Sequence, residues 1–348
     1  MTQPTPQRSD FRSDTVTRPC ARMRAAMAEA EVGDDVLDGD PTVRRLEARA
    51  AQLLGQEGAL FVPSGTMANQ VAVGVWTRPG DELICEAHAH VLDYEGGALG
   101  FLHGVQVRAV EGRRGVLTPE QIQAAVRPDS IHCAPSTLLC LEQTHMGSGG
   151  SVWPLADLEA AIAAARPLGL KVHLDGARLM NAAVASGLPA ARFSRGVDSV
   201  SLCLSKGLGA PVGSLVAGSA PFVARARTVR KRLGGWMRQA GHLAAAGLVA
   251  LEHNVARLAE DHALARVLAQ GLHGFGGLVC PPESVETNLV FVELPPGGPP
   301  AALVAQRLAE AGVLAMPLGP RRLRFVTHLD VGPSDVERAL AAMRRALA

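Results

Sequence analysis

Short apolar runs almost free of charge recur along the chain, and they alternate with longer stretches of helical period. The short runs end near Phe61 or span Glu82–Cys85, Thr137–Glu142, Lys171–Asp175 and Val200–Leu204, with one more closing at Gly218. Strands buried on both faces belong to a sheet covered by helices, which is the α/β arrangement. Residues 105–110 and 115–117 alternate instead and predict edge strands. Helical period marks 20–30, 41–54, the stretch from the Ser64-Gly65-Thr66 turn to about 76, a segment opened by Thr118-Pro119-Glu120, 154–166 and 221–233. Asp40 before Pro41 reads as an N-cap, and 154–166 supplies a βαβ crossover into Lys171–Asp175. A long helix over 243–271 leads to strand 287–294, the loop PPGGPP, helix 301–311, strand 323–328 and helix 333–347. The pattern predicts a large α/β unit over 20–245 and a smaller α+β unit over 246–348, preceded by residues 1–19. Residues 1–9 are polar with two prolines and predict a disordered tail. Phe11–Pro19 reads on its own as a short edge strand.

Composition narrows the class of molecule. A chain of 348 residues, 47% apolar, has material for two domains or so and is not a disordered chain. Lys plus Arg (34) nearly cancels Asp plus Glu (33), so nothing calls for nucleic acid or an anionic membrane as partner. The six cysteines form no CxxC pair and read as free thiols in a reducing compartment. No leader-like segment and no apolar run of membrane-spanning length is present, so a cytoplasmic enzyme is expected.

Three strand ends carry candidate chemistry. Lys206 follows the Val200–Leu204 run, at the carboxyl end of a strand, where open α/β sheets place their ligands. Gly207, Gly209 and Gly213 let the backbone behind it turn sharply and pass close to a bulky group. A lysine in dry surroundings loses charge stabilisation and becomes a nucleophile. The stretch predicts a Schiff-base lysine holding pyridoxal 5'-phosphate (PLP), although a strand-end lysine snorkelling into water has the same local signature. Asp175 ends a second strand and suits a pyridinium nitrogen, which it would keep protonated so that the ring acts as an electron sink. Ser64-Gly65-Thr66 opens a helix with free amides and hydroxyls, a phosphate cradle or else an ordinary N-cap. The order phosphate turn, aspartate, lysine is that of fold-type I PLP enzymes. No GxGxxG or GxxxxGK[ST] fits the turn, so a nucleotide-binding regulator lacks support. No metal is expected: His88 and His90 have no partner at ligand spacing, and Asp34, Asp35, Asp38 and Asp40 lack the glutamate of a calcium loop.

The segments RSDTVTRP, VGDDV, DPTVRRLE, SGTMANQ, YEGG, EQTH, HLDGAR, SKGLGAPVGS, MRQAG, NVARLAEDH and VTHLDV resemble those of the low-specificity, PLP-dependent L-threonine aldolases of the β-eliminating lyase group. The resemblance runs from Asp10 to the C-terminal helix. It implies a fold-type I enzyme that cleaves threonine or allo-threonine to glycine and an aldehyde; a β-eliminating lyase or aminotransferase on the same scaffold is the alternative. It further implies that 1–19 is an arm reaching the active site, and that the protein is a homodimer or homotetramer with shared sites.

Residue by residue, the resemblance makes Lys206 the cofactor lysine, with Ser205 beside it, and Asp175 the ring-nitrogen partner. It gives Ser64, Gly65 and Thr66 to the phosphate. Counting back four from Tyr94 gives His90 as the ring-stacking histidine, with His88 its competitor, and His145 as the second active-site histidine. Ser13, Arg178 and Arg324 hold the substrate carboxylate, with Arg322 the alternative to Arg324 and the phenolic oxygen of the ring a further contact for Arg178. Lys231 and Arg238 lie near the phosphate or across the dimer. His90, His145 or a water between them takes the β-hydroxyl proton. The chain departs from the family's pattern at Leu37-Asp38, where many members carry Tyr-Gly, at Trp236, which replaces a third glycine, and in the glycine-rich loop Met146–Ser151.

Overall fold

The computed structural model describes residues 8–347. Its twelve strands, in chain order, are β1 (Ser9–Asp10), β2 (Gly58–Val62), β3 (Glu82–Glu86), β4 (Gln106–Val110), β5 (Ser136–Glu142), β6 (Lys171–Asp175), β7 (Ser199–Cys203), β8 (Ser214–Gly218), β9 (Leu289–Glu293), β10 (Val313–Leu314), β11 (Met316–Leu318) and β12 (Arg322–Val326). Seven form one sheet in the order β2-β8-β7-β6-β5-β3-β4. Pairing from β7 through β4 is parallel, while β8 runs antiparallel to both β7 and β2. The uncharged strands β7 and β8 are buried at every position, as a sheet covered on both faces requires. The second sheet, β11-β12-β9, is antiparallel.

The connection from β7 to β8 shapes the site. Leu204 N donates to Gly213 O at 3.0 Å, and Gly209 N donates to Lys206 O at 2.8 Å, closing a tight turn around the lysine. Gly213 sits at φ +112°, and a Cβ there would lie 2.5 Å from the Phe61 ring, so no other residue fits. The helix at Pro41–Leu54 begins as its sequence predicts: Asp40 Oδ1 accepts the Thr42 and Val43 amides at 2.9 Å each. The other oxygen of Asp40 accepts the Gly33 and Gly241 amides, so this carboxylate organises a loop.

The two largest apolar cores lie in different parts of the chain. One packs the helices on the seven-stranded sheet, with Val43, Leu46, Leu139, Leu174, Leu202 and Leu215 at its centre. The other unites Leu268, Leu272, Val290, Leu308, Phe325 and Met343 with Phe11, a residue of the arm. Phe11 is fully buried and meets Phe325 edge-on at 6.0 Å. Burial of such a ring is worth about 1.5–3 kcal/mol, enough to pin the arm.

Four expectations need correction. The tail was expected to extend to residue 9, but Ser9 is buried and pairs in parallel with Val313; the rest of that expectation, residues 1–7, lies outside the described residues. Phe11–Pro19 is no strand: after β1 the chain makes one 3₁₀ turn, Asp14–Val16. Residues 115–117 form only an isolated bridge, Arg113 with Val116, because Gly115 at φ +83° turns the chain back. The helix expected over 243–271 breaks into Gly241–Val249, a wide turn at Ala250–Asn254 and Leu258–Leu272. The wide turn presents Asn254, whose Nδ2 donates to Leu208 O at 2.8 Å and braces the loop behind Lys206.

Candidate active site

The candidate residues gather at the carboxyl ends of β5, β6 and β7, and β5 and β6 are in register there, Glu142 opposite Asp175. Lys206 is half-buried, three residues past β7, and its charge is felt at Asp14, His90 and Asp175. Asp175 is buried. Its Oδ2 accepts from Asn69 Nδ2 at 2.7 Å and its Oδ1 from the Ala177 amide at 3.0 Å, with Ser201 Oγ 3.3 Å away. Burial pushes its carboxyl up, but the charges of His90 and Lys206 and the Ala177 amide prevail and hold it below the ordinary value. It therefore presents a fixed negative charge in dry surroundings.

His90 starts the short helix His90–Asp93 and stacks on Tyr94, with ring centres 5.6 Å apart and planes at 23°. Its Nδ1 lies 3.0 Å from Glu95 Oε1, and Glu95 in turn accepts from Asn69 and Gln70 at 2.8 and 2.6 Å. Burial lowers the pKa of His90, but the bond to Glu95 and the charge of Asp175 outweigh it and raise it overall. His88 is more exposed and faces Asp93 at 3.6 Å, outside this cluster. His145 is buried between two acids, its Nε2 3.0 Å from Glu86 Oε2 and 3.9 Å from Glu142 Oε2. The nearer contact is close in distance but falls outside good hydrogen-bond geometry. Burial depresses the His145 pKa, yet the two carboxylates reverse the sign.

The substrate-side wall comes from distant parts of the chain. Arg178 forks onto Asp14 through Nε at 2.8 Å and Nη2 at 2.7 Å, both side chains buried, and Asn288 Nδ2 adds a third bond to Asp14 at 3.2 Å. Burial works against the ionised forms, but the mutual attraction wins: Asp14 is held below and Arg178 above its ordinary value. Thr17 Oγ1 donates to Lys206 O at 2.9 Å, tying the arm to the lysine loop. Ser13 Oγ caps the arm's turn, accepting from the Thr15 amide at 3.2 Å. Arg324 donates through Nη2 to Arg12 O at 2.9 Å, and its buried Nε has no partner among the described residues. Burial and the nearby Arg178 lower its pKa. Arg322, two residues earlier, is exposed and paired with Glu293.

At the helix Gly65–Trp76, Ser64 Oγ caps the Met67 amide at 3.1 Å, and the Gly65 and Thr66 amides have no acceptor within the helix. A Cβ on Gly65 would lie 3.7 Å from Ser214 Oγ, a buried hydroxyl without a partner among the described residues, and 4.0 Å from Cys203 Sγ. Ser205, half-buried, lies across from Cys203, Oγ to Sγ 3.5 Å. The loop after the basic helix reaches this turn, because Gly235 abuts Met67. Lys231 and Arg238 themselves are exposed: Lys231 lies over the Trp236 ring at 5.8 Å, and Arg238 faces Asp34 at 3.4 Å. Buried Arg230 makes the inward contacts, to Phe61 O at 2.7 Å and Asp35 Oδ2 at 3.0 Å, and Trp236 joins Asp35 through its indole nitrogen at 2.7 Å.

Sequence reasoning brought Lys206, Asp175, His90, His145, Arg178, Arg324 and the 64–66 turn to one region, but it missed Asp14, Asn69, Glu95, Glu86 and Ser214. All five lie inside or beside motifs it used, yet Asp14, Asn69, Glu95 and Glu86 work through partners elsewhere in the chain, and the Ser214 hydroxyl has none among the described residues. The dry Asp175 carboxylate, the half-buried Lys206 and the turn with free amides and an orphan hydroxyl fit a cofactor with a ring nitrogen, an aldehyde and a phosphate.

The family model described as beta-eliminating lyase matches residues 10–295. A probable low-specificity L-threonine aldolase 2 of Arabidopsis thaliana is 45% identical over 351 residues, covering 99% of each chain. The low specificity L-threonine aldolase of Escherichia coli (strain K12) is 42% identical over 342 residues, 97% of this chain and 99% of its own. Among solved structures, a threonine aldolase of Leishmania major superposes with a TM-score of 0.80 at 22% identity, covering 98% of this chain and 100% of that one, a likeness of fold.

Proposed function

Because the chain belongs to the beta-eliminating lyase family, we propose that it is a PLP-dependent aldolase that cleaves L-threonine, L-allo-threonine and related β-hydroxy-α-amino acids to glycine and an aldehyde. The observation that carries this reading is the convergence of Lys206 with ionised Asp175 at neighbouring strand ends. Lys206 would hold the cofactor covalently, Asp175 its ring nitrogen, and the Gly65 and Thr66 amides with Ser64 and Ser214 its phosphate, with Ser205 alongside. Bound PLP supplies an electron sink for the pair released when a bond to the substrate's α-carbon breaks.

The chain's own residues do the rest. Arg324, with Ser13, holds the substrate carboxylate; its unpartnered Nε supports that role, whereas the Glu293 pair keeps Arg322 out of it. Arg178 has two of its nitrogens committed to Asp14, so it offers the carboxylate or the ring's phenolic oxygen only its remaining N–H groups. Fixing the carboxylate orients the Cα–Cβ bond for cleavage. His90 would pack against the cofactor ring. His145 is 1% exposed between Glu86 and Glu142 and His90 25%, which supports His90, or a water between the two, over His145 as the group that takes the β-hydroxyl proton. Lys231 and Arg238 point to solvent, which supports contacts outside this subunit's pocket if they have a ligand role.

The same reading takes 1–19 as an arm, 20–245 as the PLP-binding domain and 246–348 as the small domain; two separate cores support a division, with Ala246, Val249, Leu251 and Leu258 still packed in the first. It also takes the enzyme as a cytoplasmic homodimer or homotetramer with shared sites, supported by exposed Leu37 and Phe101. No helix among the described residues is long and apolar enough to cross a membrane.

Purified protein should be yellow, and borohydride should trap the cofactor on Lys206. Glycine and aldehyde should appear from L-threonine, L-allo-threonine and phenylserine; a bound cofactor without glycine release from any of them would sink the aldolase assignment.

A further inference from the structure

Asn69 stands one turn into the helix that follows the 64–66 turn and makes every hydrogen bond its amide can make. Its two N–H groups go to separate carboxylates, Glu95 Oε1 at 2.8 Å and Asp175 Oδ2 at 2.7 Å. Its Oδ1 lies 3.1 Å from both Ser201 Oγ and His173 Nε2. The reverse amide orientation would put oxygen against two carboxylate oxygens, so the neighbours fix which end is which. The rest of the chain of bonds then follows. Since Oδ1 only accepts, His173 Nε2 carries the proton and Nδ1 is the acceptor. Ser199 Oγ, 2.9 Å from Nδ1, must donate to it, and the Trp76 indole N–H donates to Ser199 Oγ at 2.9 Å. Burial keeps His173 neutral, its pKa lowered to about 4.

We propose that Asn69 is a positioning residue: one end of its amide clamps the Asp175 and Glu95 carboxylates, and the other fixes His173 as the Nε2–H tautomer. Through Asp175 it aims the charge at the ring nitrogen, and through Glu95 it orients His90, so its catalytic part rests on the site reading above. His173 serves as a neutral brace. It supplies the donor that keeps the amide from turning, which a protonated or Nδ1–H imidazole in the same place does differently or not at all.

The test separates the network from the chemistry. In cofactor-free protein labelled with 15N-histidine, with His173→Gln to assign the signal, His173 should show the Nε2–H tautomer at neutral pH. Asn69→Ala should lose that tautomer preference. In PLP-loaded protein it should lower kcat by about tenfold or more, with KM within about threefold. Asn69→Asp, which keeps the shape but sets a third carboxylate beside two others, should raise the His173 pKa and also lower kcat. An Nδ1–H or doubly protonated His173 in the wild-type protein overturns the proposal without any variant having to fold. So does an Asn69→Ala enzyme with unchanged tautomer and kcat. A wild-type protein that binds no PLP overturns the catalytic part together with the reading it rests on, while the tautomer still decides the network.

Discussion

The two walls of the site are built in opposite ways. The wall around Asp175 comes from adjoining parts of one sheet and the helix beside it, and the Asp175–Asn69–His173 chain there is fully hydrogen-bonded. The wall around Arg178 and Arg324 is assembled from the arm, the β6 end and the second sheet, and it leaves Arg324 Nε buried without a partner among the described residues. A closed network holds a group that must not move; an unfinished one waits for the ligand that completes it. The first wall suits a resident cofactor and the second a substrate that comes and goes.

The comparison breaks most readily at Asp14. Asp14→Ala leaves the buried Arg178 guanidinium uncompensated, and urea unfolding should report a loss of about 3–5 kcal/mol. Because Asp14 is held below its ordinary value of 3.8, its contribution is complete above that pH and fades as the pH falls through the lower folded value. The wild-type and Asp14→Ala stabilities should therefore converge in strong acid; a gap that stays constant would mean the pair is not what Asp14 contributes. Asp175→Asn comes next. Turnover should fall on the order of 10²-fold or more while cofactor remains bound, and near-normal turnover would remove Asp175 from its role. Arg324→Lys, which loses the planar fork, should raise KM by about tenfold with a smaller change in kcat. The smallest effect belongs to Arg322→Ala: the exposed Glu293 pair is worth about 0–1 kcal/mol, and KM should not move.

The same contrast sets what could be read from the sequence. Lys206, Asp175 and the 64–66 turn were legible because each follows an apolar run and sits among glycines or helix starters, all local signals. The α/β class followed from strands such as Val200–Leu204 that carry no charge. Asn69 was invisible because an asparagine inside an apolar helix looks like any tolerated polar residue, and its partners come from three other segments. Asp14 was hidden by the neighbouring Ser13: nothing local says that its carboxylate meets Arg178, 164 positions away. The break of the helix at 250–254 was equally silent, since ALEHN has good helical propensity and only the Asn254–Leu208 contact shows what the turn does.

The arm's pairing with β10 also has a consequence for biosynthesis. Ser9 and Asp10 take their partners from residues 313 and 314, so an early segment of the chain is anchored by one translated long after it. A nascent chain can complete the seven-stranded sheet, with its lysine and aspartate, well before that partner leaves the ribosome. Until β10 has been made, the arm that carries Asp14 lacks this anchor. Anchoring of the arm thus comes after the lysine and the aspartate are already in place.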